Sequence, residues 1–179
     1  MFFNLFQKKK PVPTFRDLVW MDTSAKWKGM ISLLHNNQEV VVAAWFPETI
    51  SLLKQQLELA GIPADVLDAR HVRQGLVSGK TLILAEHYPL RSKETPLLEM
   101  DATEVIVCSA LDEPFFLHFG GERILELMKK MGVNSDEIIE HNMIRQSIKR
   151  AQDNLEEKVL LDNSAASASA WFQKNVLAS

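Results

Sequence analysis

Val40-Val41-Val42-Ala43-Ala44-Trp45 is an unbroken apolar run with three β-branched residues and no polar alternation. A strand that can face water on neither side must be covered by helices on both, which is the environment of a parallel sheet. Pro47, with its fixed φ, suits the first turn of a helix. Ile50, Leu53, Leu57 and Ala60 give that helix a buried stripe up to Gly61. Ala64 to Ala69, Thr81 to Ala85 and Glu104 to Ser109 read as three more strands. Upstream, Ser24 is placed to cap a helix whose apolar face is Trp27, Met30, Ile31 and Leu34, ending at His35-Asn36-Asn37. Strands alternating with helices predict βαβ units: an α/β domain with a mainly parallel sheet flanked by helices.

Further on, Ile124, Leu127, Met128 and Met131 recur at helical spacing, and Gly132 stands where a helix end wants a left-handed residue. Ser135 is expected to start the next helix, with Asp136 and Glu137 favoured by the positive end of its dipole. Ile138, Ile139, Ile144, Ile148 and Ala151 form its apolar face. This C-terminal helix is expected to reach about Leu161, with Leu155 and Val159 meeting the domain or a partner. The expected divisions are an amphipathic segment at 1–15, the α/β domain at 16–134, a helical extension at 135–161, and a Ser/Ala spacer with a hydrophobic tail at 162–179.

A chain of 179 residues, 46% hydrophobic, can bury one sizeable core, and a net charge of −3 gives no global argument for nucleic acid. The single Cys108 excludes an internal disulfide framework and a cysteine zinc site. The five histidines, at 35, 71, 87, 118 and 141, include no i,i+4 pair, so no metal is expected. No apolar run approaches the ~20 residues that span a bilayer, and the N-terminus lacks the order of a secretory signal. A cytoplasmic protein is the expectation.

The run Leu111-Asp112-Glu113-Pro114-Phe115-Phe116-Leu117-His118-Phe119-Gly120-Gly121-Glu122-Arg123-Ile124 is followed by M-K-K-M-G, I-I-E-H-N-M-I and S-I-K-R-A-Q. Earlier blocks are D-L-V-W-M-D-T-S-A-K-W, P-E-T-I-S-L-L-K-Q-Q-L, A-G-I-P-A-D-V-L-D-A and G-K-T-L-I-L-A. In order and spacing these resemble the bacterial SecA preprotein translocase motor, where its second nucleotide-binding domain ends and its helical scaffold begins. The resemblance covers residues 17 to 155. It implies a RecA-like fold, of the type of a helicase C-terminal lobe, and a role in protein transport.

The departures bear on activity. Where a SecA-type domain carries its Thr-Asn-Met-Ala-Gly-Arg-Gly-Thr-Asp loop, this chain has Ala85-Glu86-His87-Tyr88-Pro89-Leu90-Arg91-Ser92-Lys93. The segment whose arginines reach the γ-phosphate has no counterpart after Cys108. Loss of such cations costs on the order of 10³-fold or more in phosphoryl transfer. The first motor lobe, with its phosphate-binding loop, has no counterpart here either, so this chain alone is expected to be no ATPase and to hold no cofactor. Gly75 to Thr81 mimics a phosphate-binding loop but is one residue short and leads into a strand, so it reads as a tight turn.

Other chemical candidates are few. Glu86, His87, Tyr88 and Arg91 could form a small acid–base pocket at a strand's C-terminal end, or a polar loop that once was a motor motif. Asp112 and Glu113 suit helix capping better than paired acid catalysis, and Cys108 suits a core position.

The termini carry the candidate partner-binding residues. Phe2, Phe3 and Phe6 precede Lys8, Lys9 and Lys10, which reads either as a patch for an anionic surface, membrane lipid or ribosomal RNA, or as a terminus packed back on the domain. Beyond the Ser164–Ala170 spacer, Trp171, Phe172 and Leu177 read either as a tethered peptide for another protein's groove or as a tail folded over this domain. The function expected first is a non-catalytic SecA-domain-like adaptor. Its partner would be translocase, ribosome or membrane-associated machinery, with contact at the inner face of the membrane but no integral span. The alternatives are a module regulating nucleotide hydrolysis in trans on a motor lobe, and an unrelated small-molecule enzyme using the 86–91 loop.

Overall fold

The computed structural model describes residues 14–37 and 39–177, so the expectations for Phe2, Phe3, Phe6 and Lys8 to Lys10 fall outside the described residues. Five strands form one sheet: β1 (Thr14–Trp20), β2 (Val40–Ala44), β3 (Val66–Asp68), β4 (Thr81–Leu84) and β5 (Glu104–Ala110). Their order is β1-β5-β4-β2-β3 and every pair is parallel. The α/β expectation holds, and the all-parallel sheet is consistent with a RecA-like fold.

Helices cover both faces. On one lie α1 (Thr23–Asn36) and α2 (Pro47–Leu59). There Leu18, Trp20, Val42, Ala44, Ile83, Ile106 and Cys108 meet Met30, Leu34, Leu53 and Leu57. The alternate residues Val19, Val41, Ala43, Leu82, Leu84, Val105 and Val107 point to the other face. That face is covered by α3 (Gln74–Val77), α4 (Arg91–Leu98), α5 (Pro114–His118), α7 (Asn142–Lys158) and α8 (Ala168–Phe172), which runs on as a π-helical turn to Leu177; α6 (Gly121–Lys130) lies beside α5. Among the described residues no helix is long and apolar enough to cross a membrane.

Several local features match the sequence. Pro47 starts α2, Gly79 (φ +74°) forms the tight turn before β4, and Gly132 (φ +76°) follows α6. Gly29 is required for packing: a Cβ there would stand 2.3 Å from the Trp20 ring.

Other features differ. Asp22, not Ser24, caps α1 by accepting from Ala25 N at 2.9 Å. Thr14–Trp20, not expected as a strand, is β1 at the sheet edge. No helix starts at Ser135. Ile139 instead exchanges two backbone hydrogen bonds with Val19 (3.2 and 2.8 Å), and α7 starts at Asn142 under a His141 cap. That helix ends at Lys158, leaving Leu160 and Leu161 exposed, while Leu155 and Val159 are buried in the core.

The C-terminal segment folds over this domain, the second of its two sequence readings. Trp171 is fully buried and Phe172 nearly so. The Ser/Ala spacer is tied down as well: Glu48 N, in the first turn of α2, donates to Ala166 O at 3.0 Å. Only Leu177 of the three candidate tail residues stays exposed.

Candidate functional site

From β2 the chain steps outward to β3, then returns across β2 to β4. The crevice beyond the C-terminal ends of β2 and β4 is therefore the topological switch point, where α/β sheets bind ligands. The loop after β4 enters it, and the strand alternation sends successive side chains in different directions.

Glu86 turns toward β2 and α2. Its Oε1 accepts hydrogen bonds from Trp45 N and Phe46 N, both at 3.0 Å, and its Oε2 accepts from Thr49 Oγ1 at 2.7 Å. Phe46 is the cap residue of α2 and has no capping side chain; Glu86 holds the two amides just ahead of the helix, while Glu48 N in its first turn donates to Ala166 O. Burial pushes the Glu86 carboxyl up, and the Thr49 hydrogen bond and Lys26 only partly offset this, leaving it at about 7.

Lys26, 1% exposed, lies beside it. Its Nζ donates to Ala85 O at 2.9 Å, pairs with Glu113 and stands 4.4 Å from the Trp27 ring centroid. Glu113 also accepts from Ala110 N at 3.0 Å, and Asp112 accepts from Thr23 Oγ1 at 2.7 Å. Glu113 stands at the cap position of α5 yet makes no side-chain cap, so the capping expected of this pair is replaced by ties between α1 and the end of β5. Cys108 is a core residue, its thiol pushed up to about 12 by burial.

His87 turns to the opposite face. Its Nε2 stands 3.2 Å from Asp17 Oδ1, and its Nδ1 stands 3.0 Å from Glu94 Oε1. Glu94 further accepts from Tyr88 N at 3.0 Å and Gln152 Nε2 at 2.6 Å. Burial pulls the imidazolium down, but Glu94 and Asp17 outweigh it and hold the ring at about 10. The shift favours the protonated ring, hydrogen-bonded to Glu94 on one side and in charge contact with Asp17 on the other, and so works against a role as general base at neutral pH. Arg145 Nε approaches Asp17 Oδ2 at 3.4 Å, yet neither Asp17 oxygen has a hydrogen bond of good geometry. Both Asp17 and His87 line a cavity of about 580 Å³ between β1, α4 and α7, walled by Phe15, Leu98 and Ile148.

Tyr88 goes a third way. Its ring packs on Trp45 and Trp171, and its hydroxyl meets Asp162. Arg91 pairs with Asp153 at 3.2 Å on the rim of the Asp17 cavity. The four residues of the 86–91 loop thus spread over several neighbourhoods: His87 and Arg91 line the Asp17 cavity, Glu86 and His87 line a second one of about 300 Å³ beside Lys26, and Tyr88 lines neither. Sequence reasoning missed Asp17, Lys26, Glu94 and Gln152, and it read Glu113 as a helix cap rather than as the partner of Lys26. The available signal was Lys26 four residues before Met30 and eight before Leu34, on the apolar side of its helix, a position that demands a buried partner.

No family model matches this chain. Several curated proteins do. The protein translocase subunit SecA of Christiangramia forsetii is 25% identical over 183 aligned residues, 79% of this chain and 16% of that protein. The SecA of Parabacteroides distasonis is 27% identical over 130 residues, 69% of this chain and 11% of its own length. That of Chlorobaculum tepidum reaches 38% identity over 58 residues, 32% of this chain and 6% of that protein. The chain therefore corresponds to a minor part of each relative's length.

Proposed function

This chain is a divergent relative of part of SecA, and from that premise we propose that it is a non-catalytic adaptor binding a protein of the translocation machinery. The observation that carries the reading is Glu86 in the switch-point crevice. Backbone amides at the start of a helix are a natural grip for phosphate. Here Trp45 N and Phe46 N, just ahead of α2, are given to the chain's own Glu86 carboxyl, and Glu48 N in its first turn to Ala166 O. A nucleotide phosphate would have to displace a carboxyl group held by three hydrogen bonds, next to a Lys26 already paired with Glu113. Such a domain keeps the shape of a motor lobe while the grip on fuel is closed from within. Its work is then to present surfaces, in the cytoplasm or at the inner face of the membrane.

Two measurements test this. Calorimetric titration with magnesium ATP is expected to give no saturable heat, and micromolar nucleotide binding would overturn the non-catalytic reading. A crosslinked pull-down from cytosolic and membrane fractions is expected to recover translocase subunits. Their absence from both would overturn the adaptor.

A second reading, small-molecule binding, has the Asp17 cavity in its favour: about 580 Å³, largely apolar walls, and a buried carboxylate without a hydrogen bond. A metabolite thermal-shift screen decides it. A hit abolished by Leu98→Trp, which fills the cavity, would support it, and uniform silence would end it.

A further inference from the structure

The surface made by α5, α6 and α7 bears large apolar side chains that the fold does not use. Ile124, Leu127 and Met131, at i, i+3 and i+7 on α6, are 46%, 58% and 71% exposed, and Met143 at the start of α7 is 70% exposed. The inner residues of α6, Leu125 and Met128, already pack on the core, so its outer stripe is surplus to holding the helix. Ile124 and Met143 stand on either side of a cavity of about 180 Å³ floored by Phe115 and Phe116.

The charged residues edging the stripe are mainly basic, although Glu126 lies within one turn of both Arg123 and Lys130. Arg123 and Lys130 lie four before and three after Leu127, beside the stripe, and Arg150 continues the line of Met143 and Ser147 along α7. None of the three makes an ion pair among the described residues.

We infer that this groove docks an acidic amphipathic helix from a protein partner, its apolar side chains entering between α6 and α7 and its carboxylates meeting Arg123, Lys130 and Arg150. A trough between two helices receives side chains at i, i+3 and i+7. Unpaired cations at its edges select carboxylates and reject a basic helix. An anionic bilayer also offers apolar and acidic matter, but a flat surface leaves a recessed cavity unfilled, so the helix is the better fit. The inference rests on the protein-binding reading above, whose partner it describes by chemistry.

The test uses two fluorescein-labelled helical peptides of about 15 residues, the length at which an isolated helix begins to persist in water. One carries leucines at i, i+3 and i+7 flanked by glutamates, and the other is its lysine counterpart. The acidic peptide is expected to bind saturably to the whole chain, and the basic one at least about tenfold more weakly. Leu127→Glu, at an exposed position, should abolish binding with an unchanged circular dichroism spectrum. Arg123→Glu with Lys130→Glu should reverse the peptide preference. Equal binding of both peptides, or none, overturns the groove. So does Leu127-dependent binding to vesicles of equal phosphatidylglycerol and phosphatidylcholine without peptide binding, which assigns the face to lipid. Translocase recovery in pull-downs that survives Leu127→Glu would remove the groove and leave the adaptor standing, whereas no recovery even with the unaltered chain removes the adaptor itself.

Discussion

The Tyr88 hydroxyl donates to Asp162 at 2.8 Å across 74 residues of sequence, and the Trp171 indole N–H donates to the same carboxylate at 2.8 Å. That shared acceptor fastens the C-terminal segment to the loop following β4. Burial and the neighbouring Asp162 together push the Tyr88 phenol above its ordinary range, so it stays a donor across the physiological pH range. Trp171→Ala should therefore cost about 3–5 kcal/mol of folding stability, a core-sized loss. Tyr88→Phe should cost about 1–3 kcal/mol through the charge-assisted hydrogen bond alone. Urea denaturation reads both, and a Trp171→Ala variant as stable as its parent would show the segment to be dispensable.

Stability should fall on the alkaline side because of His87. Its folded pKa, about 10, lies above the ordinary 6.5, so the folded state binds that proton more tightly. The contribution is complete below about pH 6.5 and is lost as pH rises through about 10. Melting temperature followed from about pH 6 to about pH 10 should drop more steeply for the parent than for His87→Gln. Parallel curves would mean that the Asp17–His87–Glu94 arrangement carries no net proton linkage.

Glu86 sets a second, lower window. Its folded pKa of about 7 also exceeds the ordinary carboxyl value of 4.5, so acidification from about 7 to 4.5 should add stability from this group. Glu86→Gln should erase that gain while keeping an acceptor for Trp45 N and Phe46 N. Glu86→Ala removes the acceptor from two buried amides and should cost about 1–3 kcal/mol. An unchanged pH profile in Glu86→Gln would refute the assignment.

Lys26 and Glu113 should behave as one unit. Either removed alone leaves the other charge without its partner, with a loss of about 3–5 kcal/mol expected for Lys26→Met. The double variant Lys26→Met, Glu113→Leu should recover much of that loss. Denaturant midpoints for the four members of the cycle measure the coupling, and strict additivity would contradict a direct pair.

Much of this architecture is legible in the amino-acid sequence. Continuous apolar runs such as Val40–Trp45 announce doubly covered strands, because burial on both faces tolerates no alternation. Strand β1 escapes such a reading because Arg16 and Asp17 interrupt its apolar residues. Each meets groups far along the chain: Arg16 donates hydrogen bonds to Glu140, and Asp17 lies against His87 and Arg145 as a charge contact only. The expected helix at Ser135 fails for a related reason. Its local signals are right, but Ile139 finds hydrogen bonds on the edge of β1 that a first helical turn could not offer. Glu86 and His87 stand out by position after a strand, yet their partners Thr49, Glu94 and Asp17 depend on the packing of three elements. Pairings of that kind leave no periodicity to read.

The Val19–Ile139 exchange has a further consequence for how copies of this chain coexist at high concentration. A parallel sheet ends in two rows of unpaired amides and carbonyls, and such rows recruit strands from neighbouring molecules into aggregates. Here β3 is only three residues long, too brief to template much. The longer β1 is shielded by Ile139 at Val19, by the Arg145 guanidinium on Phe15 O at 2.9 Å and by the Arg16–Glu140 fork. The stretch from Ile139 to Arg145 thus acts as a selvedge, sealing the one border along which the sheet could unravel into fibres.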